Sequence, residues 1–236
     1  MYLLCSLAGA CVLCSFATAL FRVRNMEKLR LATKLMASVL FCVTGLAAAA
    51  LRERMSAAAA LLLGALLLGL VGDIMLGLDR FAADDPSRQF LYILGGVTFF
   101  FGHLLFIALL LPIGSFEPGV LLILPVVPVL FLMLQKAKVV DFGRDLLPLM
   151  LYGSFLSAMM MSTVNVARQG ANIPQGEALS RLMILPGVLF AASDSLLFIR
   201  RYGTERTKKL MSLFEFGVML TYYAAQALFA LAVRVI

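Results

Sequence analysis

Apolar residues run along this chain in blocks of roughly twenty, separated by short polar joins, and nowhere alternate strictly with polar ones. A helix needs ~20 predominantly apolar residues to cross the hydrocarbon core. The blocks predict eight such spans, at about residues 2–21, 31–50, 56–78, 90–111, 118–134, 146–167, 180–199 and 211–233. The lack of short alternating strands argues against a closed barrel. The fifth span, "PGVLLILPVVPVLFLML", carries Pro125 and Pro128 and is expected to kink. The predicted fold class is all-α: a polytopic membrane protein forming one transmembrane domain over residues 1–236.

Composition agrees, since 62% of residues are hydrophobic, 14% are charged and the mean hydropathy is +0.99. A soluble domain rarely exceeds about half apolar residues. The net charge of +7 is distributed unevenly. Joins after the odd-numbered spans hold Arg22, Arg24, Lys28, Arg30, Lys34, Arg80, Arg88, Lys136, Lys138, Arg144, Arg200, Arg201, Arg206, Lys208 and Lys209. The other side holds Arg52, Arg54, Arg168, Arg181 and Arg234. The positive-inside rule places the first set in the cytoplasm and both termini outside, in the inner membrane if the cell is bacterial. The charge therefore reports topology and anionic headgroups, with no nucleic-acid partner implied. The first apolar block has no basic residues before it and several after it, which fits an N-out span better than a cleaved leader. Cys5, Cys11, Cys14 and Cys42 all fall in the first two spans and read as small packing residues.

Two stretches resemble each other at half the chain length. "GLVGDIMLGLDRF" (69–81) and "FAASDSLLFIRRY" (190–202) align on Asp73 and Asp194, pairing Gly72 with Ser193, Leu76 with Leu197, Arg80 with Arg201 and Phe81 with Tyr202. The two spans run in the same direction. This predicts two four-helix halves, about 1–115 and 116–236, in a parallel pseudo-repeat about an axis along the membrane normal. Both aspartates then lie at one depth near the cytoplasmic boundary.

An ionisable residue inside a span is a functional-site candidate by default. Besides the aspartates these are Lys34, His103 and Glu215, with Tyr152, Tyr222, Tyr223 and Gln226 as polar companions. Glu215, Tyr222 and Gln226 share one helical face, and so do Tyr92, Gly96, Phe99 and His103. Turned inward, these faces would line a polar chamber near the inner leaflet. Structural readings stand beside this one. Asp73 and Asp194 can serve as ion-pair partners of Lys34, Arg80 or Arg201. His103 can be a hydrogen-bonded core residue, Lys34 and Glu215 can snorkel to the surface, and the tyrosines can simply pack. A single histidine in the chain argues against a zinc hydrolase, and no serine sits in a "GxSxG" context. Carboxylate acid–base chemistry remains, with no metal and no cofactor.

Further motifs fall in a recognisable order: "GDxxL" at Asp73, Phe99 to His103, "SDxxL" at Asp194, "TYYAAQALFA" from Thr221, "YGSFLSAMM" from Tyr152 and "TKL" at Lys34. From about residue 30 onward the chain resembles the lysoplasmalogenase (YhhN-like) family. Family members often carry proline after the lysine, where this chain has Leu35. The resemblance implies hydrolysis of the vinyl-ether bond of a lysophospholipid, releasing a fatty aldehyde and glycerophospho-ethanolamine or -choline. It also implies that Asp73 and Asp194 are catalytic. Lys34, His103, Tyr152, Tyr222, Tyr223 and Gln226 are then the binding or orienting residues, with Lys34 placed to meet the phosphate. Burial favours the neutral form of a carboxyl, which suits proton donation to a vinyl ether, while a second carboxylate can stabilise the resulting cation. The residues alone do not say which aspartate is the acid. They also fit a proton-coupled transporter or a non-catalytic lipid-binding protein.

Overall fold

The computed structural model describes residues 2–82, 84–114, 118–169 and 176–236, and the side chains of residues 80, 114, 120, 123 and 176–181 lie outside what it describes. The chain is all-α, in the order α1 (Tyr2–Val23), α2 (Glu27–Ala50), α3 (Ala57–Leu78), α4 (Asp85–Gly114), α5 (Gly119–Ile123), α6 (Val126–Lys136), α7 (Leu146–Gln169), α8 (Gly176–Tyr202) and α9 (Met211–Ala232). Seven of these are long and apolar enough to cross a membrane.

The fifth predicted span differs from expectation. It is two short helices, α5 and α6, broken at Leu124 and Pro125. Proline lacks the N–H that would continue the helical ladder, and its ring crowds the carbonyl one turn back. The Ser154 hydroxyl of α7 lies 3.2 Å from the Leu124 carbonyl oxygen at the break. Pro128 is accommodated in the first turn of α6, where no intrahelical N–H bond is lost.

The joins after α1, α3, α6 and α8 gather at one end. Val23, Asn25, Asp79 and Arg200 line a common cavity there. Beside it, the Asp141 amide donates to the Tyr202 carbonyl at 2.8 Å and the Thr204 amide to Val139 at 3.2 Å. At the other end, Arg52 donates to the carbonyl of Val233 and Ser56 to that of Ile236.

Helix α9 sits inside the bundle, against α1, α2, α3 and α8. Its inner positions Glu215, Val218, Tyr222, Gln226 and Phe229 recur at helical spacing and are all buried. The outward faces are apolar: Leu13, Val43, Leu67, Phe101, Leu130, Leu151 and Leu185 are exposed. Lys34, Asp73, His103, Asp194, Glu215 and Gln226 are buried. This arrangement of lipid-facing apolar and inward polar side chains suits a bilayer solvent. Helices α3 and α4 approach closely at Gly72, where a Cβ would lie 2.7 Å from the Phe99 ring. Small residues at such contacts let membrane helices pack backbone to backbone.

Candidate active site

A cavity of about 440 Å³ opens at the arginine-rich end and reaches down to both aspartates. Asp73 enters from α3, Asp194 from α8, Lys34 from α2 and Tyr222 from α9, and all four line it. Asp73 and Asp194 are only 2% and 5% exposed, so their environment is set almost entirely by the groups around them.

Asp73 is thoroughly coordinated. The Lys34 ammonium lies 3.2 Å from its Oδ1 and also donates to its backbone carbonyl at 3.1 Å. Its Oδ2 accepts from Ser38 at 2.8 Å and from Tyr222 at 2.9 Å. Behind these, Gln226 Nε2 donates to the Tyr222 oxygen at 3.1 Å, and the Tyr223 hydroxyl donates to the Lys34 carbonyl at 3.2 Å. Gly69, one turn before Asp73, makes room for this arrangement, since a Cβ there would meet Gln226 Nε2 at 2.7 Å.

Asp194 is held differently. Its Oδ2 accepts from the Tyr152 hydroxyl at 2.7 Å, with His103 Nε2 at 3.5 Å. Tyr152 has one proton to give, so the 3.0 Å contact between its oxygen and His103 Nε2 requires the ring to donate. Nε2 therefore carries a proton in this arrangement, and Nδ1 faces the Met159 sulfur at 3.3 Å. No hydrogen bond engages Asp194 Oδ1 among the described residues. No lysine or arginine lies within ion-pair distance of Asp194 among them either.

The sequence candidates therefore divide into two layers. Lys34, Asp73, Asp194 and Tyr222 face the cavity, while His103, Tyr152, Tyr223 and Gln226 stand behind them in hydrogen-bonded support. Of the structural readings that stood beside the functional one, the Lys34–Asp73 ion pair is found and three others are not. Lys34 does not snorkel; it is buried against Asp73, because an ammonium in a low-dielectric interior needs its counter-charge close by. Glu215 does not snorkel either: it is buried, bonded to Arg200, with Arg22 Nε at 3.9 Å. Arg201 pairs with neither aspartate and lies over the Tyr92 ring at 4.5 Å.

Ser38, Arg22, Arg30 and Arg200 were not among the sequence candidates. In the sequence the serine is one hydroxyl among many, and the arginines mark topology. Arg30, Lys34 and Ser38 do recur every fourth residue, a one-faced polar stripe on an otherwise apolar helix. Among the described residues, no three His, Cys, Asp or Glu side chains gather into a group that would hold a metal. The four cysteines are free thiols.

The sequence pattern of the YhhN family matches residues 29–233, taking in both aspartates and all of their hydrogen-bonding partners. The chain belongs to the YhhN family. No curated protein and no solved structure matches it. Within this YhhN-family chain the matched region leaves out residues 1–28, which contribute Arg22, Val23 and Asn25 to the cavity mouth, and residues 234–236.

Proposed function

We propose that the chain is a lysoplasmalogenase-like hydrolase, in which Asp194 is the proton donor and Asp73 the standing carboxylate. The observation that carries this reading is the asymmetry of two buried carboxyls in one cavity. Asp73 has an ammonium and two hydroxyls on it, whereas Asp194 keeps one oxygen unengaged and no strong cation beside it. Pairs of carboxyls in unlike environments divide the acid and base roles between them.

In this reading Asp194 gives its proton to the outer carbon of the vinyl ether. The double-bond electrons form the new C–H bond, and the ether oxygen shares the positive charge as an oxocarbenium ion. The Asp73 carboxylate stabilises that cation. Water adds to the carbon attached to oxygen and passes a proton back to Asp194, giving a hemiacetal. The hemiacetal collapses to a fatty aldehyde and the glycerophospho-alcohol, so one water is consumed and the acid is restored. Tyr152 and His103 hold Asp194, while Gln226 holds Tyr222. The labile bond of a lysolipid lies just below its headgroup, which suits carboxyls beneath a polar mouth.

The same reading takes the chain as eight crossings with both termini non-cytoplasmic. Helix α4 leaves the arginine-rich end and α7 starts from it, so the stretch containing α5 and α6 must return between them. The partners support a pseudo-two-fold as well. Asp73 has its polar partners on α2 and α9, and Asp194 has its own on α7 and α4, which are equivalent positions once the four-span halves are exchanged.

The test is purified protein in detergent with ethanolamine and choline lysoplasmalogens, following aldehyde, beside Asp194→Asn and Asp73→Asn. Aldehyde from the wild type and none from either folded variant is the expected result. Wild-type turnover by Asp194→Asn would refute the acid assignment. No aldehyde from folded wild type would turn the reading to proton-coupled transport or lipid binding.

A further inference from the structure

The cavity mouth holds a charge network that vinyl-ether chemistry does not require. Arg22 and Arg30 share Glu27, and Arg22 and Arg200 share Glu215. Arg30, Arg200 and Glu215 all line the cavity. Arg30 and Glu215 are each 4% exposed, and each keeps one buried polar atom without a hydrogen bond: Nη2 of Arg30 and Oε1 of Glu215. Buried polar groups are rarely left unpaired, and charged ones least of all. Here one orphan is a cationic donor and the other an anionic acceptor, in walls of the same cavity, too far apart to satisfy each other as an ion pair.

We infer that Arg30 and Glu215 form a zwitterion site, taking the phosphodiester of a phosphoethanolamine headgroup on Arg30 and its ammonium on Glu215. A guanidinium fork matches phosphate oxygens, and a carboxylate oxygen accepts from a primary ammonium. Arg200 and Arg22 hold Glu215 in place through its other carboxylate oxygen, leaving Oε1 for the ammonium. A quaternary choline ammonium carries the same charge but has no N–H to give Oε1, so the site favours ethanolamine. A cavity of about 440 Å³ lies within the range of small-molecule sites, ~300–1,000 Å³. The inference rests on the lysolipid reading for the placement of the tail, but not on catalysis.

The experiment therefore measures binding without turnover. Saturated 1-alkyl ether lysolipids, which have no vinyl bond to protonate, are titrated calorimetrically into the full-length protein in detergent. The ligands carry phosphoethanolamine, phosphocholine or no phosphate, with inorganic phosphate as a separate titrant. The expected order is ethanolamine tighter than choline by about tenfold, the worth of one hydrogen bond to a charged group, and both tighter than the phosphate-free lipid. Arg30→Gln should weaken both phospholipids by about tenfold or more and leave the phosphate-free lipid unchanged. Glu215→Gln should erase the preference for ethanolamine while keeping the dependence on phosphate. Equal affinity for all three lipids in the wild type alone would overturn the inference, even if neither variant folds. Inorganic phosphate binding as tightly as the ethanolamine lipid would also overturn it, in favour of a free-phosphate site. Aldehyde release without headgroup discrimination would sink this inference and leave the hydrolase reading standing, while discrimination without aldehyde would do the reverse.

Discussion

The Tyr152 hydroxyl donates to Asp194 Oδ2 at 2.7 Å, and His103 in turn donates to the Tyr152 oxygen at 3.0 Å. Tyr152 is thus the one short contact that fixes the orientation of the carboxyl, with His103 itself at 3.5 Å from that carboxyl. Tyr152→Phe keeps the ring packed against His103 and Phe198 and removes the hydroxyl's bond to Asp194 together with its bond from His103. As Asp194 gives up its proton it becomes a carboxylate, and a hydrogen bond to a charged group contributes ~1.5–3 kcal/mol. Aldehyde turnover should therefore fall by roughly 10- to 100-fold. A modest fall in melting temperature should accompany it, from the buried His103 N–H left without its acceptor. Single-turnover aldehyde release measures this. Unchanged turnover would remove Tyr152 from the mechanism.

Lys34 and Asp73 form a pair that neither partner can leave without cost. Removing one side of a buried pair strands the other charge and costs ~3–5 kcal/mol. Lys34→Met alone should therefore lower thermal stability in detergent severely. The double variant Lys34→Met with Asp73→Asn should be less damaged than the sum of the two single changes. A double-mutant cycle by thermal unfolding decides it, and strict additivity would mean that the two side chains do not sense each other.

At Gly72 the helix carrying Asp73 meets α4. An added Cβ would sit 2.7 Å from Phe99 Cε2 and 2.8 Å from Thr98 Oγ1. Overpacking of this kind costs ~1–3 kcal/mol. Gly72→Ala should lower the melting temperature and also displace Phe99, whose ring packs edge-on against Tyr222. Reduced turnover with a lower melting temperature is expected, and a variant as stable and active as the wild type would mean α3 and α4 shift apart freely.

What could be read in the sequence, and what could not, follows from the range of the interactions. Span positions were legible because each depends on a local run of apolar residues and on the rise of a helix. Asp73, Asp194 and His103 stood out because ionisable groups are rare in such runs. The break at Leu124 and Pro125 was legible only as a kink, since proline marks a lost N–H but not whether α7 will supply a partner for the freed carbonyl. The pairing of Lys34 with Asp73 joins residues 39 positions apart, and that of Tyr222 with Asp73 joins residues 149 apart. Such contacts depend on which helices become neighbours, which no single segment encodes. For the same reason the sequence shows Arg30 only as a topology signal and leaves Glu215 between an inward face and the surface: near a helix end, nothing local says that α2, α8 and α9 will close around them.

The broken fifth span bears on the whole topology. Seven crossings would leave the two termini on opposite faces, whereas eight put both on one. The bonds from Arg52 and Ser56 to the carbonyls of Val233 and Ile236 tie the C-terminus to the α2–α3 turn, away from the arginine-rich joins. With those joins in the cytoplasm, a reporter fused after Ile236 should lie outside. In bacterial cells a C-terminal alkaline phosphatase fusion should be active and a C-terminal green fluorescent protein fusion dark, with the same result when each is exported through an N-terminal fusion. A fluorescent C-terminal fusion would place the arginine-rich mouth on the outer face, and lysolipid would then have to reach the aspartates from the outer leaflet.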